Sequence, residues 1–246
     1  MKQAFSDIYL SDIDERRFSV RVAKAMNVTL NIIPYIHQYC LNNKVSLLIA
    51  RCKTTEMMAV QEMEKDGFIL MDTLVYYTRD MKDTIEMVGD KTIKIRIVKD
   101  GEEERVKEIA DMAFHNYYGH YHLDSRLNQR KCDEIYSDWA YRSCMSKDVA
   151  DFVLVAEMHN RIVGFMALRT SRMNESEITL NGVLPEMQKK GIYRSMILGG
   201  MQYIKKRGNT NIIVSTQIVN IAAQKAWTRL GFELSHSFYT FHKWYE

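Results

Sequence analysis

The stretch ITLNGVLPEMQKKGIY, residues 178–193, decides the fold. It opens as a strand, turns at Pro185, and passes through Gln188, Lys189, Lys190 and Gly191 into a helix. A loop that feeds a helix N-terminus presents unpaired N–H groups and the positive end of the helix dipole. Two lysines add full charges, and Gly191 lets the backbone come close to a ligand. Such a turn suits a pyrophosphate. It also has the form of an ordinary strand–helix connection with a solvated lysine pair, so the order of the surrounding elements has to choose.

Outward from the turn, residues 93–98 alternate as a strand, and 102–114 and 126–145 read as helices. Three strands follow at 151–157, 162–170 and 177–184, the first two joined by a turn at His159, Asn160 and Arg161. A helix over 190–207 stops at Gly208; then come a strand (211–216), a helix (220–230) and a last strand (232–245). In the first third, 14–26 and 34–41 read as helices and 45–50 as a buried strand. An amphipathic helix (55–65) stops at Gly67, and a strand runs over 68–77. The polar segment MKDTIEMVGDK, residues 81–91, marks a boundary between a smaller lobe, 1–88, and a larger domain, 89–246. The halves share an echo. A shift of 164 residues puts Ile49 on Ile213, Ala59 on Ala223, Gly67 on Gly231 and Phe68 on Phe232. This reads either as two related α/β lobes, one of which kept its chemistry, or as chance likeness between two strand–helix–strand units.

Composition narrows the function classes. The 246 residues are 46% hydrophobic and 26% charged, an ordinary globular balance. A net charge of +3 lacks the basic stripe of a nucleic-acid binder, so no nucleic-acid partner is expected. No apolar run reaches the length of a membrane span, so no insertion is expected. The opening MKQAFSDIYLSDIDERRF is acidic where a signal peptide is apolar, and a cytoplasmic location is expected. Cys40, Cys52, Cys132 and Cys144 show neither metal-type nor paired spacing, so they read as free thiols with no metal.

The segment Gln188-Lys-Lys-Gly191-Ile-Tyr193 resembles the Gln/Arg-x-x-Gly-x-Gly/Ala motif of the Gcn5-related N-acetyltransferase (GNAT) superfamily, with Tyr193 in place of the usual small residue. The element order from residue 93 onward is also that of the superfamily. Asn220-Ile-Ala-Ala-Gln-Lys-Ala-Trp-Thr-Arg-Leu-Gly-Phe232 is similar to its Asn-x-x-Ala-x-x-x-Tyr-x-x-x-Gly-Phe stretch, with Trp227 in place of Tyr. The resemblance implies a mixed α/β GNAT fold, a central sheet flanked by helices, preceded here by the smaller degenerate lobe. It implies acyl-CoA as cosubstrate, held by Val183, Leu184, Gln188, Lys189, Lys190, Gly191, Ile192, Tyr193, Asn220 and Trp227. Direct attack by an acceptor amine needs no covalent acyl-enzyme. The usual tyrosine acid is absent, and Tyr239 is an alternative.

The acceptor region is HNYYGHYHLDSRL, residues 115–127. Its Tyr121-His-Leu-Asp-Ser-Arg126, together with Ser237-Phe-Tyr-Thr-Phe-His-Lys-Trp244, is similar to dTDP-amino-sugar N-acyltransferases of the dTDP-fucosamine acetyltransferase type. That resemblance implies transfer of an acetyl or small hydroxyacyl group, such as 3-hydroxybutanoyl, to a dTDP-linked amino-dideoxysugar. The product would enter a cell-surface polysaccharide such as an O-antigen. Arg126 is expected on the diphosphate, Tyr118 and Tyr121 against thymine or sugar, and Asp124, His122 or Glu177 as the base. Alternatively, Asp124 caps the following helix and pairs with Arg126, His115 and His120 are plain loop histidines, and His242 is a satisfied histidine facing the sheet. A protein or small-amine acceptor and a non-catalytic acyl-CoA-binding role are the rival readings. Homo-oligomerisation stays open.

Overall fold

The computed structural model describes residues 8–82, 90, 92–170 and 174–245. Most of the polar segment placed at the boundary lies outside the described residues. The chain forms a mixed α/β fold in which one ten-stranded sheet carries helices on both faces. The first part contributes strands β1 (Ile8–Leu10), β2 (Val22–Ala25), β3 (Leu47–Lys53) and β4 (Ile69–Asp80). Its helices are α1 (Asp12–Phe18), α2 (Ile33–Asn42) and α3 (Met57–Lys65). The rest follows as β5 (Lys94–Ile97), α4 (Glu103–Ala113), α5 (Gln129–Met145), β6 (Phe152–Met158), β7 (Arg161–Thr170) and β8 (Glu175–Val183). Then come α6 (Ile192–Lys205), β9 (Asn211–Gln217), α7 (Ile221–Arg229) and β10 (Glu233–Trp244).

One expectation fails in the first part. The helix read over 14–26 ends at Phe18, because Ser19 adopts a left-handed conformation, and Val22–Ala25 is a strand. Short apolar runs buried on both faces look alike in strand and helix, and Val22, Ala23 and Ala25 are all buried. The hairpin at His159 and Asn160 has positive φ at both residues, the twist that suits a two-residue β-turn.

The strand order is β1-β2-β3-β10-β4-β9-β8-β7-β6-β5. The two halves therefore exchange strands. The last strand, β10, lies between β3 and β4 and buries Phe241 in the core of α2, α3 and β3. In return β4 lies against β9 and buries Val75 and Tyr77 in the main core with Trp227. Adding 164 to the bounds of β3, α3 and β4 gives the bounds of β9, α7 and β10. The register agrees too. Phe238 opposite Lys53 matches Leu74 opposite Gln217, and Phe238 sits opposite its own counterpart, Leu74. Both helices end at a left-handed glycine, Gly67 and Gly231, a geometry that disfavours side chains with a Cβ.

Candidate active site

The strands β8 and β9 run parallel only from Glu175 opposite Asn211 to Ile178 opposite Val214. Beyond that rung β8 continues to Val183 and β9 to Gln217 with no pairing between them, so the sheet opens into a gap. Peptide groups along an antiparallel strand face alternate neighbours. Leu184 gives its N–H to the Val163 carbonyl at 3.0 Å, which turns Leu184 toward β7 and leaves the main chain of Val183 and Asn181 facing the gap. The Val183 N–H thus faces the gap, whereas the Leu184 N–H is already bonded to β7.

The quoted turn sits at the end of this gap. A single 3-10 turn (Pro185–Met187) leads through Gln188 to Lys189 and Gly191, both with positive φ, and then into α6. No side chain caps α6 at Gly191, so its first N–H groups keep their dipole end open. Lys189 and Lys190 are exposed beside it. A Cβ added to Gly191 would meet nothing within 4 Å, so the backbone there is open to a ligand. The Gln188 amide reaches back to the Val183 carbonyl at 3.4 Å and braces the turn. Ile192 is buried and anchors α6 on the main core. An uncapped helix start, two lysines and free strand edges fit the pyrophosphate and amide-bearing arm of coenzyme A.

Two of the expected cofactor residues have other duties. Trp227 is 1% exposed, tilts against Tyr77 at 5.5 Å, and donates its indole N–H to the Tyr193 hydroxyl at 2.7 Å. It is a core residue that holds Tyr193. Asn220 caps α7: its side-chain oxygen accepts from the Ala223 N–H at 3.2 Å, and its amide donates to Thr216 at 3.0 Å. Both ends of that side chain are engaged, so it acts by fixing α7 to the end of β9.

The other face of the central strands is polar. Thr240 lies opposite Arg51 on β3 and opposite Asp72 on β4, and directly opposed residues share a face. Gln217 continues the row, donating to Asp72 Oδ2 at 3.0 Å. Asp72 Oδ1 and the buried Thr240 hydroxyl have no hydrogen-bond partner among the described residues. Arg51 is half-buried, with no ion pair among the described residues. Its charge acts on Glu177, His120, Tyr121 and Tyr136. Phe114 stacks on Tyr136 at 4.5 Å, and Tyr117 stands edge-on to Tyr136 at 5.1 Å. A cleft of about 270 Å³ opens alongside, lined by Asp72, Thr73, Tyr118, Leu123, Gln217 and Ile218. Tyr118, 64% exposed, stands at this cleft. A larger cavity of about 420 Å³, between β5 and α6, does not reach the gap.

The proton carriers read from the sequence fare differently. Asp124 is buried and saturated. Its Oδ2 accepts from His242 Nδ1 at 2.7 Å and Trp244 Nε1 at 2.9 Å, and its Oδ1 from the Arg126 N–H at 3.0 Å. Burial raises its pKa, but these donors outweigh burial and leave it lowered, the wrong direction for a base. Nor does it cap α5, which starts at Asn128. His122 is tied by the Gly119 N–H at 3.1 Å and by Asp133 at 3.3 Å. The Tyr121 hydroxyl donates to Asp14 at 3.0 Å inside the third core cluster, so its ring is no sugar platform. Arg126 is exposed and stacks on Trp244 at 4.2 Å, away from the row. Tyr239 packs into the α2–α3 core on the face opposite Thr240. Glu177 differs from these in its surroundings. It is half-buried at the last rungs before the gap, and burial raises its pKa although Arg51 partly offsets that. Reading the sequence overlooked Arg51, Asp72 and Thr240; their signal is the register of β3 and β4 against β10, which no local pattern carries.

All four cysteines are free thiols. Among the described residues no cluster of His, Cys, Asp and Glu suits a metal ion, and no helix is long and apolar enough to cross a membrane.

Known proteins resemble this chain in sequence and in fold. The spore coat polysaccharide biosynthesis protein SpsD of Bacillus subtilis (strain 168) is 23% identical over 144 residues, covering 58% of this chain and 48% of that protein. A mycothiol acetyltransferase of Saccharopolyspora erythraea is 28% identical over 109 residues, covering 44% of this chain and 32% of that protein. The matches thus span half or less of the length of these relatives. In fold, a GCN5-related N-acetyltransferase from Sphaerobacter thermophilus superposes with a TM-score of 0.65 at 14% identity, over 96% of this chain and 76% of that one. A functionally unknown conserved protein from Staphylococcus epidermidis gives 0.65 at 17% identity, over 97% and 90%. The sequence profile of the Acetyltransferase (GNAT) family matches residues 104–232, more than half of the chain and the stretch that holds both the opened strands and the turn, and the chain belongs to that family.

Proposed function

We propose that the chain is an N-acyltransferase that moves an acetyl or small hydroxyacyl group from acyl-CoA to the amino group of a dTDP-linked amino-dideoxysugar. Residues 1–88 form its degenerate lobe, and the reaction is a cytoplasmic step toward a cell-surface polysaccharide. The observation that carries the transfer is the gap between β8 and β9, with the uncapped α6 turn at its end and the polar row of Arg51, Thr240 and Asp72 on the opposite face. Bound acyl-CoA supplies the acyl carbon. The Val183 amide, turned into the gap, is placed to stabilise charge on the thioester oxygen. Glu177 takes a proton from the acceptor nitrogen. Asp72, Gln217 and Tyr118, which line the cleft, offer hydrogen bonds to sugar hydroxyls, and Arg51 offers a cation for a phosphate. The polysaccharide role in the name of the SpsD relative supports a sugar acceptor.

The test is free-thiol release with several acyl-CoAs and a panel of dTDP-3-amino and dTDP-4-amino sugars. Release well above background with at least one pair is expected; no release from any pair, with coenzyme A still bound, would favour a non-catalytic acyl-CoA-binding role. A second acceptor class has its own observation. The cleft's rim is apolar and exposed at Leu70, Leu123, Ile218 and Val219, which suits a peptide or an apolar amine. Turnover of such amines with none of the sugars would favour that reading.

A further inference from the structure

Making an amide from an ammonium strips two protons from nitrogen, one before attack and one after. Glu177 has room for one. A second proton path is built into the far side of the acceptor space, from groups that sequence reading set aside. His242 on β10 is fully buried and bonds Asp124 through Nδ1 at 2.7 Å. Its Nε2 lies 2.9 Å from His120 Nδ1. With the imidazoles neutral, one polarity follows. Ionised Asp124 only accepts, so His242 Nδ1 carries the hydrogen and His242 Nε2 is a lone pair. His120 Nδ1 must then donate to it, and His120 Nε2 is left as a lone pair with no partner among the described residues. His120 keeps 9% exposure, and its ring lies at 3.9 Å on that of Tyr121, which holds its orientation. The loop before it reaches the groups beside the cleft: a Cβ on the preceding Gly119 would stand 2.6 Å from the Tyr136 hydroxyl and 3.7 Å from Gln217 Nε2, and His242 shares its face of β10 with Thr240 of the polar row.

We propose that Asp124, His242 and His120 form a proton relay that takes the proton the acceptor ammonium loses before attack, with His120 Nε2 as the accepting atom. This rests on the acyl-transfer reading above. The proton binds His120 Nε2, the Nδ1 proton of His120 passes to His242 Nε2, and the charge comes to rest on His242 beside Asp124. The freed amine forms the C–N bond to the acyl carbon, and the C–S bond breaks with its electron pair on sulfur. Glu177 takes the remaining proton from nitrogen, and the thiolate leaves to be protonated to free thiol. His120 is the catalytic residue; His242 and Asp124 are positioning residues. Burial and the charges of His242, Arg51, Lys24 and His122 hold the His120 pKa well below the usual value, so the ring is neutral at neutral pH and a proton it accepts is passed on to His242 rather than kept. The neighbouring Tyr121 hydroxyl is bonded to Asp14 and does not compete for the lone pair.

The experiment uses the full chain with an acceptor that the wild type turns over. H120Q is expected to lose about a hundredfold or more in kcat at pH 7, the usual yield of one general base, with unchanged affinity for coenzyme A. The defect should shrink as pH rises toward the acceptor amine's own pKa, because solution then supplies free amine. H242N should share that pH-dependent defect, and added imidazole should restore part of the activity of H120A. A packing role would move none of these trends. A folded H120Q with kcat within twofold of wild type, or a loss that stays constant with pH, overturns the relay while acyl transfer stands. Absence of thiol release from the wild type overturns both.

Discussion

At the residue scale, identity and availability part company. Asp124 looks like a base in a list of residues, yet three donors consume its carboxylate. Trp227 looks like a failed acid, yet its indole N–H holds the Tyr193 hydroxyl. Lys189 and Lys190 are the opposite case, exposed beside an uncapped helix start with no ion pair among the described residues. Replacing both by Ala is expected to weaken coenzyme A binding about tenfold or more, roughly 1.4 kcal/mol, with little change in melting temperature. Titration calorimetry reads the first effect and thermal unfolding the second. Unchanged affinity would mean that the pyrophosphate lies elsewhere. Side-chain type at the turn was legible in the sequence because the chemistry is local. The duties of Asp124, Trp227 and Tyr121 were not, since their partners lie on distant parts of the chain.

At the element scale, the gap depends on where β9 ends and α7 begins. Asn220 makes that junction, capping α7 and tying it to Thr216. Asn220→Ala is expected to cost about 1 kcal/mol of stability, the usual loss of a helix cap, and to raise KM for acyl-CoA more than it lowers kcat. Denaturant unfolding and steady-state kinetics test the pair of effects; a stable variant with unchanged KM would remove Asn220 from the site. Element types from residue 93 onward were readable because each has a clear period and a stop signal, such as Gly208 and Gly231. The β2 strand was misread because all but Lys24 of its short run is buried, and burial on both faces erases the alternation.

At the scale of the molecule, the exchange of β4 and β10 makes each half complete only with a strand from the other. Fragments 1–88 and 89–246 expressed separately are therefore expected to stay unfolded or aggregate, and co-expression to restore a soluble complex, checked by circular dichroism and gel filtration. A separately folded, monomeric 89–246 fragment would show that β4 is dispensable. The repeat at 164 residues, one chance-prone echo in the sequence, becomes a register match through four adjacent strands, which supports reading the chain as a duplicated unit. The sequence by itself determined the element order, the turn at Gln188 to Gly191 and the family they imply, because helix periods, strand runs and glycine stops act over a few residues. Only the tertiary structure decided which strands adjoin, where the sheet opens, that Arg51, Thr240 and Asp72 stand in one row, and that His120 meets His242. Those depend on hydrogen-bond register between segments up to two hundred residues apart, and no local pattern encodes it.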